Sequence, residues 1–352
     1  MLGERPIRVA VLGASGYAGG ELVRLLAAHP STAVTFVGAS SSVGATLGTV
    51  HPHLAPLAVA GEPLREMSPG AVAEAADVAM LALPHGVSAA LAPILLDAGL
   101  HVIDLGGDFR LPADAYPEWY GWEHPAPDWL AKAVYGLPEL FGEQLPGAQL
   151  VANPGCYPTA VLLGLAPLLA AGLIEPGPIR VDGKTGLSGA GRAPSESTGF
   201  SATEDSIRPY RLPGHQHTPE IERWLERAGG AAVPVLFVPH LVPTVRGVLT
   251  TSYATADDGA TTAALTACLA DAYAGRQFVR VLGPGEMADT KRVRGSNAIE
   301  LQAVADPRSG TAVVVGAVDN LVKGAAGQAI QNLNLVAGLA EDEGLPVVGV
   351  YP

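Results

Sequence analysis

The chain has 352 residues, a formal net charge of −13, and 16% charged against 48% hydrophobic residues. That balance excludes a disordered chain and a broad polyanion-binding surface, because phosphate affinity rests on clustered Lys and Arg. The 43 Gly and 30 Pro follow no G-x-y period, so the chain is turn-rich rather than collagen-like, and its length fits about two domains at ~150 residues each.

Met1 to Pro6 carries charge and lacks the basic region, apolar run and small-residue cleavage site of a signal peptide. Ile7–Leu12 follows as a short apolar run ending at glycine, which predicts a buried parallel strand. A helix is predicted over Tyr17–Ala28, strands over Ala33–Ala39 and Asp77–Leu83, a helix over Val87–Ala98 and a strand over His101–Leu105. Strands alternating with helices imply βαβ units and a parallel sheet. The stretch from Phe109 to Gly147, rich in Pro, Trp and Tyr, reads as ordered loops on a site, and Gln149–Ala152 as the last strand of this half.

After a predicted helix at Tyr157–Ala171 the pattern changes. Strands at Ile179–Gly183, Val233–Val242, Val245–Ala256, Phe278–Leu282, Asn297–Ala305 and Thr311–Val318 crowd together, with helices only at Thr218–Arg227 and Thr261–Ala274. Strands following strands predict an antiparallel or mixed sheet. Leu321–Ala340 is helical again and is expected to return to the first domain. No run of ~18 apolar residues is free of charge, Pro or Gly, so no membrane span is expected. With only two cysteines, Cys156 and Cys268, far apart, a soluble cytoplasmic α/β protein is the expected class.

Gly13-Ala14-Ser15-Gly16-Tyr17-Ala18-Gly19 joins the first strand to the first helix in a G-x-x-G-x-x-G spacing. Such a turn lets backbone approach a pyrophosphate at a helix N-terminus, so Gly13, Ser15, Gly16, Tyr17 and Gly19 are candidate cofactor residues of a Rossmann-type domain. NAD-selective sites place an acid at the end of the second strand. Here Ser40, Ser41 and Ser42 follow it, offering hydroxyls and no carboxylate to a 2′-phosphate, which favours NADP, although a plain polar turn is the alternative. Pro84, in Leu83-Pro84-His85-Gly86 at a strand's C-terminal end, is expected to line the cofactor crevice.

Asn153-Pro154-Gly155-Cys156-Tyr157-Pro158-Thr159 leads from a strand into a helix. A thiol at a helix N-terminus meets the dipole and free amides that favour a thiolate and stabilise an oxyanion. Cys268, in an alanine-rich helical stripe, reads as core. A nucleophilic thiol beside a nicotinamide points to thioester or thiohemiacetal chemistry with hydride transfer.

These motifs closely resemble the N-acetyl-γ-glutamyl-phosphate reductases, relatives of aspartate-semialdehyde dehydrogenases, over essentially the whole chain. Matching stretches include Asn153–Thr159, Asp108-Phe109-Arg110, Tyr135–Glu139, Ser188–Arg192, His215–Ile221, Pro239–Leu241 and Lys323–Ala329; Gly106-Gly107 departs from the Ser-Ala expected before Asp108. The resemblance implies a semialdehyde-dehydrogenase-like architecture. Residues 1–155 and the C-terminal helix, 321–352, would form an NADP-binding Rossmann domain, and residues 156–320 a mixed-sheet α+β catalytic and dimerisation domain.

It also implies NADPH-dependent reductive dephosphorylation of N-acetyl-γ-glutamyl phosphate to N-acetylglutamate γ-semialdehyde, in arginine biosynthesis, through a thioester on Cys156, in a homodimer or homotetramer. Aspartyl phosphate and carrier-bound aminoadipyl or glutamyl phosphate are the alternative substrates; a hydrolase without a redox step and a dinucleotide sensor are more distant ones. One of His215 and His217 would be the acid–base partner, His217 being favoured and His215 binding or orienting substrate. H-x-H could also be a metal pair, but no third ligand with suitable spacing is nearby, and no metal is expected. Arg110 is expected at the phosphate and Arg208 or Arg211 at the substrate carboxylate, with Lys184 and Asn153 completing the substrate set. Ser188 and Gly189 would lie against the nicotinamide end, and Asn320 would bind its carboxamide or serve as a helix N-cap.

Overall fold

The computed structural model describes residues 5–352, so the first four residues of the charged N-terminal stretch lie outside the described ones. The chain forms two compact units: Met1–Gly155 with Ala325–Leu345, and Cys156–Gly324 with Pro346–Pro352. Within the stretch 321–352, residues 321–324 and the last seven therefore group with the second unit, and only Ala325–Leu345 with the first.

The first unit is built from β1 (Ile7–Leu12), α1 (Tyr17–Leu26), β2 (Thr32–Gly38), α2 (Pro69–Ala75), β3 (Val78–Leu81), α3 (Val87–Asp97), β4 (His101–Asp104), β5 (Val134–Tyr135) and β6 (Leu150–Ala152). The strands lie in the order β2-β1-β3-β4-β6-β5, all parallel. β3 and β6 are buried at every position and β1 at all but one, which is why these strands read as continuous apolar runs. The chain leaves β1 toward β2 and returns to β3 on the other side. That reversal is the switch point at whose carboxyl end open α/β sheets bind ligands.

The region 109–147, expected as loops, holds short helical turns and the two-residue β5, which extends the sheet beyond β6. α2 was not anticipated, since seven residues carry little periodicity. The predicted C-terminal helix divides into a π-helical turn, Val322–Ala326, and an α-helix, Gly327–Ala337, closed by Gly338 at φ +73°.

The second unit contains α4 (Cys156–Ala170), β7 (Ile179–Thr185), β8 (Arg208–Pro209), α5 (His217–Gly229), β9 (Val235–Leu241), β10 (Val248–Thr255), α6 (Thr262–Ala272), β11 (Val279–Val281), β12 (Ile299–Asp306) and β13 (Thr311–Val318). Its seven strands run β11-β12-β13-β10-β7-β9-β8. The pairs β12–β13, β13–β10, β10–β7 and β9–β8 are antiparallel, while β7–β9 and β11–β12 are parallel, which makes the sheet mixed. α4 is apolar almost all round and nearly every residue is buried. It lies against the sheet at small residues: a Cβ on Gly164 would stand 2.8 Å from Val314, and one on Gly316 3.0 Å from the Ala160 carbonyl. On the other face, strand register aligns Val304, Val313, Tyr253, Arg180 and Leu236 in one row, with Leu236 56% exposed.

Candidate active site

In the first unit the Gly13–Gly19 turn connects β1 to α1 with little freedom. Gly13 has φ +89°, and a Cβ there would stand 2.1 Å from the Ala82 carbonyl oxygen. A Cβ on Gly19 would stand 2.2 Å from the Gly13 oxygen. The Gly13 and Ala14 N–H groups both donate to the Gly38 carbonyl at the end of β2, and buried His51 bonds the Ala14 carbonyl through Nε2 at 2.9 Å. Gly16 is the N-cap of α1; no side chain caps this helix and no acid lies in its first turn. The space beside Gly16 is open except for one contact at 3.4 Å. A helix N-terminus with uncovered amides and no local carboxylate suits a pyrophosphate. Ser15 and Tyr17 border this turn, and Ser40, Ser41 and Ser42 are exposed just beyond β2, Ser42 at φ 64°.

The turn after β3 is held differently. The fully buried Asp108 carboxylate accepts N–H bonds from Gly86 and Ala89, at 2.9–3.0 Å. It thereby fills the N-terminus of α3 and fixes the loop that carries Pro84. A second buried acid, Asp104 at the end of β4, accepts from the Gly106 N–H. Burial first, and then the Asp108 charge, push its carboxyl up to about 6.

Arg110 is buried and donates from Nε to the Asn153 carbonyl at 2.8 Å and from Nη2 to the Leu105 carbonyl at 2.9 Å. It braces the loops after β4 and β6. Asn153 is buried as well: its amide donates to the Ala325 carbonyl, and its Oδ1 accepts from Asn332 at 2.9 Å. Asn332 also donates to the Gly136 carbonyl, so the C-terminal helix fixes the turn that precedes Cys156. The sequence reading missed Asn332. The available signal was a run of polar side chains, Gln328, Gln331, Asn332 and Asn334, on a helix that turns out to bury them all.

In the second unit Cys156 is the first residue of α4 and is half-buried at the positive end of that helix. Gly324, within the π-helical turn, comes against it: a Cβ there would stand 2.7 Å from the Cys156 Cβ. Tyr157 carries the cluster onward. Its ring lies 4.9 Å from Phe237, 5.9 Å from His217 and 6.2 Å from His215. The His215 and His217 rings are 4.8 Å apart, and His215 Nδ1 accepts the His217 N–H at the start of α5.

Tyr210, not anticipated, packs 5.5 Å from His215 and hydrogen-bonds Tyr157 through their hydroxyls. Burial, the Tyr210 charge and its hydrogen bond, and the Cys156 charge all push the Tyr157 hydroxyl far above the ordinary range; burial chiefly pushes Tyr210 up to about 12. Both phenols therefore stay protonated beside the thiol.

Asn320 donates to Ser188 Oγ at 2.9 Å and accepts the Gly247 N–H at 2.8 Å, while Asp319 takes the Leu321 and Val322 N–H groups. The capping role open to Asn320 thus belongs to Asp319. Gly189 lies near the same amide, 3.9 Å from a Cβ position to Nδ2. Lys184 pairs with Asp182 at 2.9 Å on the sheet face opposite the one that carries Tyr157 against Gly183. Arg208 donates to the Ser197 carbonyl and Arg211 to Gln216, between the two histidines, where its charge also acts on Tyr210. Among the described residues no three His, Cys, Asp or Glu side chains form a metal-binding group, and no helix is long and apolar enough to cross a membrane.

A glycine turn leading into a helix on a parallel sheet, and a helix-start cysteine on a mixed-sheet unit, fit the class of two-domain dehydrogenases. Residues 8–148 match the family model for the semialdehyde dehydrogenase NAD binding domain and residues 156–320 that for the semialdehyde dehydrogenase dimerisation domain; the chain belongs to this family. Within it, the chain is 50% identical to the N-acetyl-γ-glutamyl-phosphate reductase of Symbiobacterium thermophilum, over 98% of this chain and 99% of that one. It is 48% identical to the enzyme of that name from Desulforudis audaxviator, over 98% and 100%. Aspartate semialdehyde dehydrogenase II from Vibrio cholerae superposes with a TM-score of 0.72 at 18% identity, covering 95% of this chain and 99% of that one, which shows the shared fold. The Candida albicans enzyme, solved with NADP, gives 0.69 at 17% identity over 95% and 99%.

Proposed function

We propose that the chain performs NADPH-dependent reductive dephosphorylation of N-acetyl-γ-glutamyl phosphate to N-acetylglutamate γ-semialdehyde, a step of arginine biosynthesis, with Cys156 as nucleophile. The carrying observation is the helix-start thiol, whose neighbour Tyr157 packs against the His215–His217 pair and Tyr210, in a chain about half identical end to end to reductases of that name.

His217 takes the thiol proton. Cys156 sulfur attacks the acyl carbon, the carbon–oxygen bond to phosphate breaks, and a thioester forms as phosphate leaves. NADPH, when bound, supplies a hydride to the acyl carbon. The oxyanion on the Cys156 adduct is held at the α4 N-terminus and collapses to the aldehyde as the carbon–sulfur bond breaks, and His217 returns its proton to the departing Cys156 thiolate. Gly13, Ser15, Gly16, Tyr17 and Gly19, with Ser40–Ser42 and Pro84, would hold the cofactor's phosphates and adenosine; Ser188, Gly189 and Asn320 would hold its carboxamide end. His215 orients His217, and Arg110 with Asn153 sets the turn shape and the positive charge that an acyl phosphate needs.

The second unit, a dimerisation domain by family, pairs through the outward row of Val304, Val313, Tyr253 and Leu236. A cytoplasmic location fits the substrate.

The test runs the reaction backwards, with NADP, phosphate and N-acetylglutamate semialdehyde, following reduced cofactor. Reduction with aspartate semialdehyde and none with the acetylated aldehyde would overturn the substrate. In Cys156→Ser, turnover is expected to fall at least about a thousandfold while NADP binding, read by calorimetry, persists. A fully active variant would end the thioester scheme.

A further inference from the structure

Beyond the end of β2 the chain is not finished with the adenosine side of the sheet. The segment around residues 62–67 returns and runs along it: Arg65 N–H donates to the Val37 carbonyl, Ala39 N–H to the Arg65 carbonyl, and Gly38 bridges Arg65 in parallel register. The same segment is tied on its other side, by Leu64 with Gly44 and Ala45 and by Leu47 N–H to the Glu62 carbonyl. Its register is therefore fixed on both sides.

Register decides which of two opposite charges faces the strand end, because successive side chains of an extended segment point to opposite sides. Arg65 turns to the Phe36 ring, 5.4 Å from its centroid, and to Glu62 at 3.6 Å. Glu66 turns the other way and lines a cavity of about 450 Å³ with Ala39, Ser40, Val43, Met67 and Ser68. This lining contains no Lys or Arg, and Glu66 makes no hydrogen bond or ion pair among the described residues. The cavity sits just past the carboxyl end of the second strand, where dinucleotide folds of this topology place the adenosine ribose.

We propose that Glu66 is a specificity-determining residue at the adenosine ribose: its carboxylate accepts a 2′-hydroxyl and opposes a 2′-phosphate, so the chain's preference for NADP over NAD is narrow and Glu66 sets its limit. The proposal rests on the reading of the first unit as a nicotinamide-dinucleotide site. The hydroxyls of Ser40 and Ser68 still bond a phosphate, but without a cation to neutralise it, and the one charge facing the cavity has the wrong sign. A slip of one residue would have brought Arg65 to the same place and reversed the preference.

The test is calorimetric titration of the intact chain with NADP, NAD, 2′-AMP and 5′-AMP, for the wild type and for Glu66→Gln and Glu66→Arg. Glu66→Gln is expected to tighten NADP and 2′-AMP about fivefold at low salt while weakening NAD slightly. Glu66→Arg is expected to tighten NADP further and to make its affinity steeply salt-dependent. An NAD-to-NADP affinity ratio that stays within twofold in both variants overturns the role of Glu66. Wild-type protein that binds neither cofactor overturns the dinucleotide reading, and this proposal with it.

Discussion

A carboxyl that stays protonated near pH 6 is a liability to the fold at higher pH, and Asp104 is such a group. It is fully buried, the Asp108 carboxylate is a near neighbour, and Arg110 offsets the cost only in part. Below about pH 4 both folded and unfolded states carry the proton; between about 4 and 6 the folded state alone keeps it. Stability from this group is thus full at low pH and lost as pH rises through about 6. Asp104→Asn removes that loss. Its unfolding free energy relative to wild type should rise by about 2 kcal/mol between pH 4 and pH 7.5, read by urea denaturation. A flat difference across that range would show that Asp104 is ionised throughout. Sequence alone marked Asp108 only as part of a motif and Asp104 not at all, because Asp104 owes its state to burial.

Helix starts are where local pattern and distant contacts divide the work. α1, α3 and α4 each begin at a turn that glycine or proline announces, and the sequence placed each start to within a residue. What fills each N-terminus was legible only at the first. α1 has no side-chain cap. α3 is capped from Asp108, in the loop after the neighbouring strand β4, through Gly86 and Ala89. Asp108→Asn keeps the shape but removes the charge and one acceptor, so it should cost about 1–2 kcal/mol and accelerate hydrogen exchange at those two amides. Unchanged exchange at Gly86 would mean that the loop holds itself. At α4 the surprise is the π-helical turn, whose wider winding brings Gly324 against Cys156. Its sequence, Val322–Ala326, looks like ordinary helix, since winding is decided by packing rather than by residue type.

The mixed sheet of the second unit is covered by α4 on one face only, and the other carries exposed Leu236, Tyr253 and Val304 in one register row. This half-apolar sheet face is the pairing surface proposed for the dimerisation domain. Leu236→Arg combined with Tyr253→Arg should lower the molar mass seen by light scattering after size exclusion, to that of a single chain. An unchanged mass would move the interface elsewhere.

The sequence by itself determined the two-part α/β architecture, the glycine turn, the cysteine at a helix start and the closely spaced His215 and His217. Each of these is written in local spacing: runs of apolar residues, glycine at fixed offsets, a Pro in the first turn. Only the tertiary structure decided that Arg110 braces backbone carbonyls, that Asn332 holds Asn153, that Tyr210 joins the Tyr157 cluster and that Glu66 rather than Arg65 faces the end of β2. Those roles depend on burial and on strand register between segments far apart in the chain, and neither quantity has a local signature.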